Sequence, residues 1–273
     1  AQTQSMSLAT QLESGIRALD VRTRHIDDEF HIYHGIVDLD IKFEEVLTTV
    51  NSFLEKHPTE FVLMYMQKAS TPKNNKLPLS DVFMKYMNTY GEKVWVADQH
   101  RIPTLNEVRG KIVITHGNMH GGSHTMIPYK KEYDHCAQGL SGISELYDKW
   151  MKTKDHLNNL ANKTTFDNYF YFTSLSDYMA AGLIILPYFV ASGKISPGTS
   201  DSYLTTGLFD TLSKDKYPDF FRENDTILYT GINVLAYEYI KATQDSVTSK
   251  FLGVISADFP GPGLIEVVIN RNN

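Results

Sequence analysis

One stretch near the start of the sequence constrains the fold most, because two short runs of alternating apolar residues there end in polar and charged side chains. The alternating positions are Ile16, Ala18, Asp20 and Arg22 in the first run and Phe30, Ile32 and His34 in the second. Alternation with a period of two is typical of strands. Strands that begin apolar and end in reactive side chains match the mouth of a parallel β/α barrel. The sequence therefore predicts an α/β fold with a site at the ends of these strands.

The residue types at these strand ends suit one class of reaction. Arg22 can hold a phosphate group through two parallel hydrogen bonds. His34 can donate a proton to a leaving oxygen near neutral pH, and Asp20 can orient one of these partners. Together they indicate cleavage of a phosphodiester. Taken singly, Arg22 could form a surface ion pair with Asp20, and His34 could be a hydrogen-bonded histidine under a turn.

The rest of the chain alternates between helical and extended patterns. The apolar spacing predicts helices over residues 43–57, 80–90, 143–160 and 233–242, and strands over 61–68, 111–116, 170–175 and 251–258. Lys68 and Asp258 come at the ends of two of these strands, so we expect both at the mouth of the barrel. Residues 178–225 are rich in Gly, Pro and aromatic residues and predict an insertion of loops and short helices. We predict one domain over residues 1–273 that contains this insertion.

Composition excludes several classes of partner. The net charge is −6 and no Lys/Arg cluster occurs, which argues against binding to nucleic acid or to anionic membranes through a basic patch. The longest apolar run, residues 180–191, is about half as long as a transmembrane helix. The single Cys136 excludes an internal disulfide. The Gly- and His-rich run 116–124 could be a metal loop, but its spacing favours a loop at the site.

Several sequence blocks resemble one enzyme family, in the same order along the chain. They are GIRALDVRTRHIDDEFHIYHG, FLEKHPTEFVLMYMQK, RGKIVIT, YFTSLS and FLGVISADFPG. These blocks resemble the bacterial-type phosphatidylinositol-specific phospholipases C, within the X-domain family. The resemblance implies a TIM-like (β/α) barrel. It also implies a reaction that needs neither metal nor cofactor, in which the inositol 2-hydroxyl attacks the phosphorus and diacylglycerol leaves.

The resemblance implies a role for each strand-end residue. Arg22 resembles the arginine that stabilises the phosphate, and His34 resembles the general acid that protonates the leaving diacylglycerol oxygen. Asp20 is expected to orient one of the two. Asp258 resembles the carboxylate that holds the catalytic base in its working tautomer.

Further positions resemble the residues that contact the substrate. Lys68 matches a lysine near the phosphate, and Glu145 and Tyr147 stand where the family has an acidic and an aromatic residue against the inositol ring. Tyr147 could equally belong to a helix core. The arginine that contacts inositol after the fourth family strand has no counterpart here, and His116 could replace it as a donor.

One family motif is missing from this sequence. Family members carry the base histidine in a Gly-Thr-His-Asp type motif on an earlier strand, and no histidine precedes Gly15. We expect either a preceding segment or a barrel that is distorted or incomplete. The leading prediction is a secreted, monomeric, peripheral enzyme that cleaves inositol phospholipids or glycosylphosphatidylinositol anchors at a membrane surface. The alternatives are a non-catalytic barrel that binds an inositol phosphate or glycolipid, and a metal-dependent glycerophosphodiester phosphodiesterase.

Overall fold

The computed structural model describes most of the chain as a set of helices and strands. The described residues are 2–95, 101–116, 127–128, 130–133, 143–165, 170–177, 187–194, 217–223, 226–246 and 251–272. The helices are α1 (Leu8–Glu13), α2 (Phe43–Lys56), α3 (Leu79–Tyr90), α4 (Leu105–Val108), α5 (Ile143–Ala161), α6 (Pro187–Ser192), α7 (Ile232–Ala242) and α8 (Pro262–Asn270). The strands are β1 (Ala18–Ile26), β2 (Glu29–His34), β3 (Val37–Lys42), β4 (Val62–Lys68), β5 (Val94–Trp95), β6 (Ile112–His116), β7 (Ile127–Pro128), β8 (Lys130–Tyr133), β9 (Tyr171–Ser174), β10 (Phe221–Glu223), β11 (Thr226–Leu228) and β12 (Val254–Ser256). The chain divides into two compact units, mainly residues 6–130 and residues 131–166 with 171–273.

The first unit is built on one sheet of seven strands. Its order is β3-β2-β1-β4-β6-β5, and β7 also pairs with β6. β1, β4 and β6 are parallel neighbours, and the helix α2 connects the β1–β3 segment to β4. Parallel strands joined through helices are the arrangement that the sequence predicts for this part of the chain.

A single apolar core covers one side of this sheet. Alternate residues of the strands, such as Val21, Met64 and Ile114, are buried there together with Leu47 of α2 and Phe83 of α3. The apolar spacing of α2 fits this contact, because its buried residues recur every three or four positions. The residues that alternate with these point to the other side of the strands, and that side carries the candidate site.

The first two strands form an antiparallel hairpin, which corrects the sequence-based expectation of parallel strand ends. Asp27 and Asp28 make the turn with positive φ angles of 49° and 60°. The hairpin pairs Thr23 with Ile32 and His25 with Phe30. β1 therefore continues for four residues past Arg22 before the chain reverses, so Asp20 and Arg22 lie within a strand instead of at its end.

The second unit contains two smaller sheets and four described helices, α5, α6, α7 and α8. One sheet has the order β12-β9-β8, and β10 pairs with β11 in the other. Its core is rich in aromatic residues, including Trp150, Phe189, Phe220 and Tyr229. Among the described helices of the chain, none has both the length and the apolar composition needed to cross a bilayer.

Most of the predicted elements are present. The predicted helices over 43–57, 80–90, 143–160 and 233–242 correspond to α2, α3, α5 and α7, and the predicted strands correspond to β4, β6, β9 and β12. β12 is shorter than expected, and the sequence analysis missed β3 and α8. Most of residues 178–225 lie outside the described residues. The single domain with an insertion there stays a prediction.

Candidate functional site

Three polar side chains meet on the side of the first sheet that faces away from its helices. Arg22 donates to Asp20 from Nη2 at 3.1 Å and from Nε at 3.4 Å, both to the Oδ2 oxygen. Gln67 of the neighbouring strand β4 donates from Nε2 to the other oxygen, Oδ1, at 3.0 Å. One carboxylate thus joins the arginine to a second strand. We call these three residues the Asp20 cluster.

Strand alternation explains why this cluster is accessible. Leu19, Val21 and Thr23 point into the helix-covered core and are at most 7% exposed, whereas Asp20 and Arg22 are exposed. In the parallel ladder, residues in register share a side of the sheet, and Arg22 is in register with Gln67. The predicted placement of Asp20 and Arg22 on one strand face is therefore confirmed.

The ion pair in the cluster contributes little to the stability of the fold. The side chains of Arg22 and Asp20 are 46% and 34% exposed. An exposed pair of this kind contributes about 0.2–1 kcal/mol because water screens the charges. The guanidinium is consequently accessible to an anionic group from solvent, with its orientation set by Asp20.

Lys68 is not part of the cluster. It is the last residue of β4 and is in register with the buried Thr23, so it belongs to the side of the sheet opposite Asp20 and Arg22. Met64 and Met66, which alternate with Lys68 on the same strand face, lie in the helix-covered core. The side chain of this strand that reaches Asp20 is Gln67, one residue earlier.

His34 is half-buried at the end of β2, before Gly35, whose φ is +60°. Phe30 and Ile32 of this strand pack in or against the helix-covered core. The pairing of β2 with β3 is irregular between His31 and Tyr33, just before His34. That His34 meets Arg22 at the site stays a prediction.

A second polar group continues the side of β1 that carries the cluster. The guanidinium of Arg24 lies 5.3 Å from the ring centre of Tyr33 and donates to the Thr71 carbonyl at 2.8 Å. His31 is in register with Arg24, so these two share a side. Tyr33 donates to Asp38 at 2.9 Å, and the pKa of Asp38 is lowered by the Asp40 amide and by this hydroxyl.

Three predicted site residues belong to the second unit. Glu145 and Tyr147 lie on α5, and Asp258 follows β12. Tyr147 packs edge-on against Tyr217 and Phe220, with ring centres at 5.1 and 5.0 Å, and burial raises its pKa. Tyr147 is thus part of an aromatic cluster, which matches the helix-core alternative.

Asp258 is held through its backbone, because its carbonyl accepts a hydrogen bond from Asn233 Nδ2 at 2.9 Å. It is half-buried, as is Glu145. That these two residues converge with Arg22 on one cleft stays a prediction.

His116 ends β6, where its backbone is in register with Met66. Its side chain and the run 117–124 lie outside the described residues. Within the described ranges, no group of three or more His, Cys, Asp or Glu side chains could hold a metal ion. The roles proposed for His116 and for this loop stay predictions.

The sequence analysis missed three residues on the side of the cluster. Gln67 bonds to Asp20, and Asp20, Tyr65 and Thr115 are in register across β1, β4 and β6. Thr115 is fully buried, and its hydroxyl has no hydrogen-bond partner among the residues that the structure describes. Register with Arg22 places Gln67 on this side, and register with Asp20 places Tyr65 and Thr115 there.

Comparison with known proteins finds similarity in the N-terminal part of the chain. Residues 1–117 match the family model described as phosphatidylinositol-specific phospholipase C, X domain. The 1-phosphatidylinositol phosphodiesterase of Listeria monocytogenes is 36% identical over 122 residues, which are 43% of this chain and 37% of that protein. The protein of the same name from Staphylococcus aureus is 31% identical over 134 residues, 47% of this chain and 42% of that protein. These alignments span less than half of either relative.

Solved structures share the fold of this chain. The phosphatidylinositol-specific phospholipase C from Listeria monocytogenes matches with a TM-score of 0.66 at 21% identity, over 100% of this chain and 84% of that one. A Staphylococcus aureus phosphatidylinositol-specific phospholipase C gives 0.66 at 22%, over 100% and 85%. The predicted α/β fold of the TIM-like type, distorted or incomplete, is confirmed. Among the described strands, no closed barrel forms.

Proposed function

We propose that this chain, whose residues 1–117 match the X-domain family model, is a phosphatidylinositol-specific phospholipase C that works without a metal ion. The observation that carries the proposal is the Asp20 cluster. It holds an arginine in a defined direction on the side of the sheet away from α2 and α3, within the residues that match the family model. An oriented guanidinium suits a phosphodiester because its planar fork can donate to two phosphoryl oxygens.

In the proposed reaction, the inositol 2-hydroxyl attacks the adjacent phosphorus. A bond forms between this oxygen and phosphorus, and the bond from phosphorus to the diacylglycerol oxygen breaks. Arg22 stabilises the negative charge that grows on the phosphoryl oxygens. An acid protonates the leaving diacylglycerol oxygen, and a base takes the hydroxyl proton. The products are diacylglycerol and cyclic inositol 1,2-phosphate.

We assign the acid to His34 and the orientation of the base to Asp258, both from the family resemblance. The register places a second imidazole, His31, on the side of Arg24, where its Nε2 is 3.8 Å from Glu29 Oε2. Paired His34→Gln and His31→Gln variants separate the two assignments. We expect His34→Gln to lower kcat by about 10²–10⁴-fold and His31→Gln to leave it within about threefold. The reverse result would make His31 the acid.

The substrate is proposed to lie in a membrane surface, which the protein meets peripherally. The β2–β3 hairpin next to His34 supports this, because Ile36 at its tip is 90% exposed and Val37, Leu39 and Ile41 are each at least 40% exposed. A cluster of exposed apolar side chains is typical of a surface that meets a lipid or protein partner. A secreted monomer completes the proposal. Assay of the culture medium and light scattering of the purified chain test those two properties.

The deciding experiment uses purified protein, phosphatidylinositol vesicles and EDTA. Phosphorus NMR distinguishes the cyclic phosphate from an open monoester. We expect the cyclic product from the unaltered protein, none from Arg22→Met, and no effect of EDTA. Binding to the vesicles without cleavage would favour the non-catalytic alternative. Activity that EDTA abolishes and calcium or magnesium restores would favour the metal-dependent phosphodiesterase.

A further inference from the structure

Gln67 of β4 is linked to the arginine of the candidate site through Asp20. Among the described contacts, Gln67 forms no hydrogen bond with Arg22 itself. Its Nε2 donates to Asp20 Oδ1 at 3.0 Å, and Asp20 Oδ2 accepts from Arg22 at 3.1 Å. The two oxygens of the Asp20 carboxylate thus accept hydrogen bonds from side chains on different strands. The plane of the carboxylate is fixed from both ends.

The ladder explains how this contact forms. Arg22 and Gln67 are in register, whereas Asp20 is in register with Tyr65. The amide therefore reaches diagonally along the sheet by two residues, a distance that a long side chain can span. Without it, the orientation of an exposed carboxylate would depend on its own strand alone.

We propose that Gln67 is a positioning residue that fixes Asp20 and, through Asp20, the direction of the Arg22 guanidinium toward the phosphate. This inference rests on the proposed function. Orienting a long, exposed side chain before the substrate arrives avoids an entropic cost at the transition state. A neutral amide suits the task because it donates to the carboxylate without competing with the phosphate for Arg22.

The test compares steady-state cleavage of phosphatidylinositol by Gln67 variants. Gln67→Leu removes the donor at similar volume, and we expect kcat to fall roughly tenfold to hundredfold while KM stays within about threefold, since the arginine contact strengthens in the transition state. Gln67→Glu, which cannot donate and repels Asp20, should fall further. Gln67→Lys restores a donor and should recover most of kcat. Gln2→Leu, at an exposed glutamine in the N-terminal segment, should leave kcat unchanged.

A double-mutant cycle shows whether Gln67 acts through Asp20. In an Asp20→Ala background, Gln67→Leu should cost less than twofold in kcat. An equal loss in both backgrounds would overturn the positioning role, and so would an unaltered kcat in Gln67→Leu. Thermal unfolding of each variant checks that the fold persists. If the unaltered protein cleaves no phosphatidylinositol, the proposed function fails and this inference fails with it, which the first arm of the experiment reveals.

Discussion

The two units each contain a cation–carboxylate pair, and the two pairs differ in almost every physical respect. Arg22 and Asp20 in the first unit are 46% and 34% exposed. Lys149 and Asp177 in the second unit are 1% and 0% exposed, with Nζ and Oδ2 3.5 Å apart. Lys149 also donates to the Ser174 and Ser176 carbonyls at 3.3 and 3.0 Å, so it ties α5 to the segment after β9.

Exposure to water determines whether each pair contributes mainly to stability or to ligand contact. A buried pair has been taken out of water at a large desolvation cost, so removal of one partner leaves a charge in a poor environment. An exposed pair keeps much of its hydration and adds little to stability. The buried pair therefore stabilises the fold of the second unit, whereas the exposed pair in the first unit lies where solvent and a ligand can reach it. Substitutions should separate stability from activity accordingly.

The largest effect is expected from Lys149→Met. This change removes the cation from a fully buried carboxylate, and the free energy of unfolding should fall by about 3–5 kcal/mol. Urea denaturation followed by circular dichroism measures it. The double variant Lys149→Met with Asp177→Leu should recover a large part of the loss, because a pair of apolar residues needs no partner. A loss below about 1 kcal/mol in the single variant would contradict the contrast between the two pairs.

Arg22→Lys should have the next largest effect, on activity instead of stability. A lysine carries the charge but cannot reproduce the two-pronged contact, so we expect kcat to fall by about a hundredfold or more, where each tenfold corresponds to about 1.4 kcal/mol. The midpoint of thermal unfolding should move by no more than about two degrees. Activity close to that of the unaltered protein would remove Arg22 from its proposed role.

The smallest effect concerns His25, which lies three residues after Arg22 on the buried side of the same strand. It is 4% exposed, it packs edge-on against Phe30, and burial lowers its pKa although Asp28 opposes the shift. The folded state thus favours the neutral imidazole, and stability should fall as the pH drops below about 6.5, the ordinary pKa of histidine. Thermal unfolding of the unaltered protein and of His25→Gln between pH 7.5 and 5 checks this. The variant should lose less stability over that range, and parallel curves would contradict the assignment.

Helices with a clear apolar period could be predicted from the sequence alone. α2 ends within one residue of its predicted end, and α5 and α7 also lie close to their predicted ranges. β3 was missed in the sequence analysis, and all six of its residues are exposed. Its apolar residues alternate with charged ones as they would in a half-buried strand, yet the hairpin leaves them in solvent.

The candidate site could be predicted only in part. Alternation placed Asp20 and Arg22 on one strand face, and the structure has them there. Gln67 could not be found this way, because its contact with Asp20 depends on the register between β1 and β4. The roles of Lys68 and His34 at the site stay predictions.

The sequence by itself determined which residues form strands and how each strand sorts its side chains into two alternating sets. It also carried the family resemblance of residues 1–117. Only the tertiary structure decided which set lies under the helices α2 and α3 and which lies on the other side with the Asp20 cluster, and how β2 turns back along β1 through Asp27 and Asp28. The physical reason is that a period of two is symmetric between the faces of a sheet. Helix packing and the register of neighbouring strands break that symmetry, and both arise from contacts between residues far apart in the chain.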